Sequence, residues 1–374
     1  MKSKTIYYGK QYLDKHDIKA VKDSLNEELI TTGKSVAKFE KNINNFTNSK
    51  YAISCNSGTA ALHIALFSIG LKSNEIIIMP TINFISSYSM AKNMNARIYL
   101  SDVCPQTGVM RVEDLLNCIK VNQIKNIKAV INMYIGGSAK NLKEFYLLKK
   151  KYKFFLIEDA CHALGSNYKV KNKIQKIGSC NHSDICTFSF HPLKSITTGE
   201  GGCVTTNNQK LANKMYVFRS HGITRKNYFD YDIQNLGFNY RLSDINCALG
   251  ISQLKKLNLF IKRRKQIAKL YISKLNKINT FLEIPKYDEY SAWHLFRLRV
   301  LKNKKGLIKF LQKNKIFTQI HYKPIHSFSF YKLKEKLKNS EKYFEETLSL
   351  PIYYSLSNED IERICNLLKN YYIK

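Results

Sequence analysis

Apolar and polar positions change rhythm along the chain. Through the first two-thirds, short apolar runs at residues 51–54, 75–79, 97–100, 129–132 and 154–157 are bounded by turn residues, the pattern of buried strands. Between them lie stretches with helical spacing, such as 60–69 and 142–151. Strand runs alternating with helical runs predict an α/β fold, a mostly parallel sheet covered by helices. Residues 187–190 and 202–206 predict two further strands close together.

After about residue 249 the texture changes. Residues 253–274 read as one long basic helix, then strands at 295–301 and 317–322 and helices at 307–314 and 359–371. This predicts a large α/β domain over 1–250 and a smaller C-terminal α+β domain over 251–374. No repeat of 20–50 residues and no low-complexity linker interrupts either part.

Composition changes this picture little. The chain has 374 residues, 44% hydrophobic and 24% charged, which excludes wholesale disorder. Nine cysteines with no C-x-x-C pair point to free thiols in a reducing compartment and to no metal site. No apolar run reaches the roughly 18 residues of a membrane span, and the start at Met1-Lys2-Ser3-Lys4 leads into no apolar leader segment, so a cytoplasmic protein is expected. The net charge of +33 raises the possibility of a nucleic-acid binder. Lysine far outnumbers arginine, however, and is spread along the whole chain without aromatic platforms, which argues for a solvated basic surface.

Candidate chemistry gathers at strand ends, where open α/β sheets bind ligands. Asn56-Ser57-Gly58-Thr59 joins a strand to a helix. Gly58 permits the sharp turn and the helix start offers amides to an anion, although an ordinary capped helix carries the same residues. Glu158-Asp159-Ala160-Cys161-His162 places a carboxylate just past a buried strand, suited to a protonated ring nitrogen or to a plain helix cap. Ser189-Phe190-His191-Pro192-Leu193-Lys194, followed by Thr198-Gly199-Glu200-Gly201-Gly202, sets one lysine in a loop between two apolar strands. Desolvation there would lower its pKa and free the amine to form a Schiff base. The glycines are expected to let backbone approach Lys194 closely. Trp293 reads as core, and His321-x-x-x-x-His326 is broken as a metal pair by Pro324.

Taken together, these segments, with Asn239-Tyr240-Arg241, resemble the DegT/DnrJ/EryC1/StrS sugar aminotransferases, of fold-type I pyridoxal-phosphate architecture, nearly end to end. Asp159 to Ser166, Arg219-Ser220-His221-Gly222 and His321-Tyr322-Lys323-Pro324 resemble the family's pseudaminic-acid branch. The resemblance implies pyridoxal 5′-phosphate as cofactor and transfer of an amino group from glutamate to C4 of a UDP-4-keto-6-deoxy-N-acetyl-hexosamine. Another UDP- or dTDP-linked keto-sugar is the alternative. By position it implies Lys194 as the Schiff-base lysine and proton-transfer base, and Asp159 as partner of the ring nitrogen. Phe84 would stack on the ring and His162 lie near its phenolate oxygen. Ser57, Gly58, Thr59 and Ser189 would hold the phosphate. Asn239 would reach the phosphate of a partner subunit, which implies a homodimer with shared active sites. His221, His321 and Tyr322 are the candidate substrate contacts.

Overall fold

The computed structural model describes residues 4–372 apart from 226, 228, 234, 279, 334 and 335; residues 1–3 of the segment read for a leader lie outside them. The strands are β1 (Tyr51–Cys55), β2 (Ile76–Pro80), β3 (Arg97–Ser101), β4 (Ile127–Met133), β5 (Phe155–Asp159), β6 (Asn167–Val170), β7 (Lys173–Lys176), β8 (Ile185–Ser189), β9 (Gly202–Thr206), β10 (Ile223–Arg225), β11 (Tyr231–Ile233), β12 (Leu282–Glu283), β13 (Phe296–Val300) and β14 (Thr347–Leu350). The α-helices are α1 (Lys15–Leu25), α2 (Lys34–Thr47), α3 (Gly58–Ser68), α4 (Ser86–Asn93), α5 (Val112–Val121), α6 (Leu142–Tyr152), α7 (Gln209–Arg219), α8 (Asp244–Leu275), α9 (Lys304–Lys313), α10 (Lys338–Glu346) and α11 (Asn358–Tyr372).

Seven strands form one sheet in the order β1-β9-β8-β5-β4-β2-β3. Pairings from β3 to β8 are parallel, and β9 runs against both β8 and β1. The α/β fold read from the sequence is thus present, with one reversed strand. Alternation along the strands feeds two apolar layers. Ile77, Met79, Ala129, Ile131 and Ile157 pack with Ala60 and Ile64 of α3 and Met215 of α7. Ile78, Val130 and Leu156 pack on the other face with Phe39 of α2, Leu115 of α5 and Phe145 of α6. Helix α3 is buried nearly all round, which explains its lack of an amphipathic stripe.

The reversed strand matters for the site. β8 and β9 are neighbours, so loop 190–201 returns directly, without a crossover helix, and is pinned at both ends by the same ladder.

Helix α8 is 32 residues, about 48 Å long. It runs unbroken through residue 250. Its part up to Ile261 supplies Leu257, Phe260 and Ile261 to the large-sheet core. Its last turns supply Ile267, Ala268 and Tyr271 to a third cluster with β13, β14, α9 and α11. The antiparallel sheet β12-β13-β14 belongs to that cluster. Residues 317–322, expected as a strand, form none. The segment is divided between two partners, Phe317 N donating to Ile6 O at 2.8 Å and Gln319 exchanging bonds with Ser349, so no continuous ladder develops. Among the described residues no helix is long and apolar enough to cross a membrane.

Candidate active site

The C-terminal ends of β1, β2, β4, β5 and β8 open at one edge of the sheet, and the sequence candidates converge there. Lys194 sits in the pinned loop, its own N–H donating to His191 O at 2.9 Å. Phe190 N bonds Gly201 O at 2.8 Å, and Thr198 N bonds Phe190 O at 3.0 Å. Asn246 Nδ2, from the first turn of α8, donates to Thr198 O at 2.5 Å. The loop is therefore held from both ends and from a helix. The lysine is partly buried. Burial pushes its pKa below the usual lysine value, opposed by nearby Cys161 and Asp159. A larger fraction of neutral amine at a given pH is what a nucleophilic lysine needs.

The glycines after Lys194 do a different task from the one expected. A Cβ on Gly202 would collide with the carbonyl of Ser57, and one on Gly201 with Thr198. They bring the start of β9 against the β1–α3 turn, not the backbone against Lys194. Gly58 has the matching requirement, since its Cβ would stand 2.8 Å from Ser189 Cβ. Ser57 caps α3, its Oγ accepting from Ala60 N at 3.0 Å, and Thr59 Oγ1 pairs with Ser86 Oγ at 2.8 Å. Ser57, Gly58, Thr59 and Ser189 thus lie together at the positive end of a buried helix.

Asp159 ends β5 with its carboxylate buried. Ser87 Oγ donates to Oδ2 at 3.1 Å and Cys161 N to Oδ1 at 3.3 Å. Asn83 Nδ2 donates to Ser87 Oγ at 3.2 Å, which ties the carboxylate to the turn carrying Phe84. Phe84 is 54% exposed and its ring centroid lies 5.9 Å from that of Tyr322. An exposed phenylalanine in this position has a face free for a flat ligand.

His162 is fully enclosed. Gly136 N–H donates to its Nδ1 at 3.3 Å, and its Nε2 pairs with Tyr322 OH at 3.0 Å. Burial and the positive charge of Lys194 drive its pKa well below the ordinary histidine value. A neutral ring whose Nδ1 accepts must carry its proton on Nε2 and donate it to Tyr322. Tyr322, its own pKa raised well above normal by burial, keeps a proton to donate further. His321 is buried, pairs through Nδ1 with Ser349 Oγ at 2.9 Å, and is pushed down to about 3 by burial. His326 turns instead to Thr81 Oγ1 at 2.8 Å, so the two histidines do not converge.

Asn239 and His221 belong to a neighbouring, exposed lobe. Asn239 O accepts from Asn56 Nδ2 at 3.2 Å, and Asn239 bridges to Ser220. His221 N donates to Phe238 O at 3.0 Å while its ring is exposed. Neither joins the Lys194 group within one chain. Arg219, part of the same sequence signature, faces inward: its Nη1 donates to Glu40 Oε1 at 2.5 Å and Ser54 O at 2.9 Å. Sequence reading passed over Ser87, Gly136 and His294. His294 lies against His162 with ring centroids 4.3 Å apart and planes tilted by 40°, and its Nδ1 is buried without a partner among the described residues. Nothing in Ser291-Ala292-Trp293-His294 marks it, because it arrives across the fold from the segment just before β13.

A large mixed sheet, a lysine loop beside a buried aspartate at the strand ends and a second sheet closing over them define the fold of pyridoxal-phosphate aminotransferases. The chain belongs to the DegT/DnrJ/EryC1/StrS aminotransferase family, which it matches over residues 11–369. It is 37% identical over 372 residues to the UDP-4-amino-4,6-dideoxy-N-acetyl-beta-L-altrosamine transaminase of Campylobacter jejuni subsp. jejuni serotype O:23/36 (strain 81-176), covering 97% of this chain and 96% of that one. The structure is similar to Helicobacter pylori PseC, an aminotransferase involved in the biosynthesis of pseudoaminic acid, with TM-score 0.91, 30% identity, and coverage of 99% and 100%. It also resembles the PLP-form of the putative sugar aminotransferase Spr1654 from Streptococcus pneumoniae, with TM-score 0.89, 25% identity and 98% of each chain covered.

Proposed function

We propose that this aminotransferase uses pyridoxal 5′-phosphate to move an amino group from glutamate to C4 of a UDP-4-keto-6-deoxy-N-acetyl-hexosamine. The observation that carries the reading is Lys194, its pKa lowered by burial, facing the charge of Asp159 at one end of the sheet. The residues fit the cofactor. Gly58 leaves space at Ser189 that a Cβ would fill, the first turn of α3 offers positive charge to a phosphate, and Asp159 holds a buried carboxylate for a ring N–H. When bound, the cofactor supplies an aldehyde for amine exchange and an electron sink.

In this reading Lys194 holds the cofactor and then, released, moves a proton at the substrate carbon. Ser57, Gly58, Thr59 and Ser189 hold the phosphate, and Phe84 covers one ring face. The Nε2–H of His162 orients Tyr322, whose hydroxyl donates towards the ring's phenolate side or the sugar. His321 shapes the wall behind it. Asn239, with His221, reaches the site of a second copy. The exposed apolar side chains of that lobe, Phe229 at 88% and Leu236 at 85%, together with Leu29 and Ile30, support a homodimer that covers them. Residues 1–250 form the cofactor part and 251–374 the closing part. The sugar rests on the names carried by relatives such as the Campylobacter enzyme.

Borohydride reduction followed by digestion is expected to place the cofactor adduct on Lys194 and to find none in Lys194→Ala. An adduct on another lysine overturns the site. Rates over a panel of keto-sugars with glutamate test the substrate, and a dTDP-keto-sugar aminated faster than the UDP-linked 4-keto N-acetyl sugar overturns that part alone.

A further inference from the structure

A second cavity, about 640 Å³, lies between the β3–α5 and β4–α6 connections and the small sheet. Its volume falls in the range of small-molecule sites. Lys194, Asp159, His162, Tyr322 and Phe84 do not line it. One wall is apolar, with Val109, Ile284, Pro285, Trp293 and Leu295. The other is cationic. Arg111, Lys140 and Arg299 are offset by acidic partners, respectively Asp114 with Glu113, Asp288, and Glu283 with Glu346, of which Asp288 and Glu283 also line the cleft. Arg297 and Lys286 are not. Arg297 spends its N–H groups on neutral acceptors, Ile135 O at 3.0 Å, Tyr343 OH at 2.9 Å and Thr107 O. Lys286 is exposed and has no ion pair among the described residues. Thr347 Oγ1, on the same lining, is buried without a partner among the described residues.

Two uncompensated cations beside an apolar wall call for a doubly charged anion with a ring-bearing body. A five-carbon dicarboxylate would satisfy the charge and leave the apolar wall idle. We propose that this cleft binds a ring-bearing organic phosphate of nucleotide size, at a site separate from the Lys194 centre. The lining touches the catalytic group at two places. Gly136 N–H bonds His162, and Tyr343 OH donates to His321 O at 2.9 Å. A Cβ on Gly136 would lie 2.7 Å from Arg297 Nε, so the backbone that orients His162 is packed directly on the arginine of this cleft.

Trp293 is the only tryptophan in the chain, and it lines the cleft. Its emission in the cofactor-loaded full-length protein is therefore the probe, titrated with UDP, with inorganic phosphate and with 2-oxoglutarate. UDP is expected to change the emission saturably and at lower concentration than either small anion. Lys286→Glu is expected to raise the UDP midpoint about tenfold, since reversing one exposed charge alters the local attraction by the cost of roughly two surface pairs, while KM for the keto-sugar stays unchanged. Thr347→Val is expected to weaken UDP without altering the fold. No UDP response, a UDP midpoint equal in Lys286→Glu and the parent, or a shift that follows KM for the keto-sugar each overturns the separate site. Tighter binding of 2-oxoglutarate than of UDP overturns the ligand class.

Discussion

Glu158 and Asp159 are consecutive carboxyls at the end of β5, and their side chains leave on opposite faces of the sheet. Asp159 meets the cleft. Glu158 is sealed beneath it, where Ser183 Oγ donates to its Oε1 and the buried Tyr134 phenol lies beside it. No cation compensates it among the described residues, and burial pushes its pKa from 4.5 up to about 7. It is therefore largely a neutral acid below pH 7, which spares Asp159 a like charge on the adjoining residue. The linkage sign follows. In the unfolded chain the group ionises near 4.5, while the folded protein keeps its proton to about 7, so unfolding between those values releases a proton. Stability from this group is full below pH 4.5, declines as pH rises to about 7, and is flat above, a loss of about 3 kcal/mol across the window. Glu158→Gln removes the titration and keeps an oxygen to accept from Ser183. Its melting temperature, measured against the parent with cofactor bound, is expected to gain steadily on the parent from pH 5 to pH 7.5, by several degrees in all. A difference between the two proteins that stays constant over that range would refute the reasoning.

Three further outcomes are expected. Tyr322→Phe removes the one hydroxyl that His162 orients, and should lower kcat by roughly tenfold to a hundredfold and shift the visible absorption of the bound cofactor; an unchanged spectrum and rate would show that the hydroxyl faces nothing reactive. Hybrid dimers of Lys194→Ala and Asn239→Ala chains should contain one site with both native residues and regain activity above either parent, whereas inert hybrids would remove the shared site. Asp244→Ala should cost about 1–3 kcal/mol in denaturant unfolding: Asp244 of α8 accepts from Gly33 N at 2.7 Å, Ser35 N at 2.8 Å and Val36 N at 3.2 Å, capping α2, whose own preceding residue is a glycine. A loss below about half a kcal/mol would mean that water replaces the cap.

That cap shows where sequence reading runs out. Strands β2 to β5 and β8 were legible because a buried parallel strand needs a nearly continuous apolar run. Strands β1 and β9, which pair antiparallel, were legible from short apolar and β-branched runs bounded by turns, and the sheet end follows from strand direction. Lys194, Asp159 and the Ser57-Gly58-Thr59 turn were legible because their chemistry is written into contiguous residues that end strands or open a helix. Residues 317–322 looked like a strand since apolar alternation records propensity and not the supply of partners. Asp244 was visible only as the start of a helix, since the N–H groups that donate to it lie more than 200 positions away.

The same reasoning separates the two histidine assignments. His162 could be placed from sequence because it lies three residues beyond Asp159, and one turn of chain fixes both at the sheet edge. What makes it useful is non-local: Gly136 from the β4 end fixes its tautomer, and Tyr322 from the small-sheet side receives its proton. His321 was expected to touch the substrate; in the fold its Nδ1 pairs with Ser349 and its carbonyl accepts from Tyr343. The adjacent Tyr322 is the one whose hydroxyl meets His162. One residue along the chain changes which side chain the ring meets, Ser349 for His321 and His162 for Tyr322. That distinction depends on which neighbours close over the segment, information that residue type and spacing do not contain.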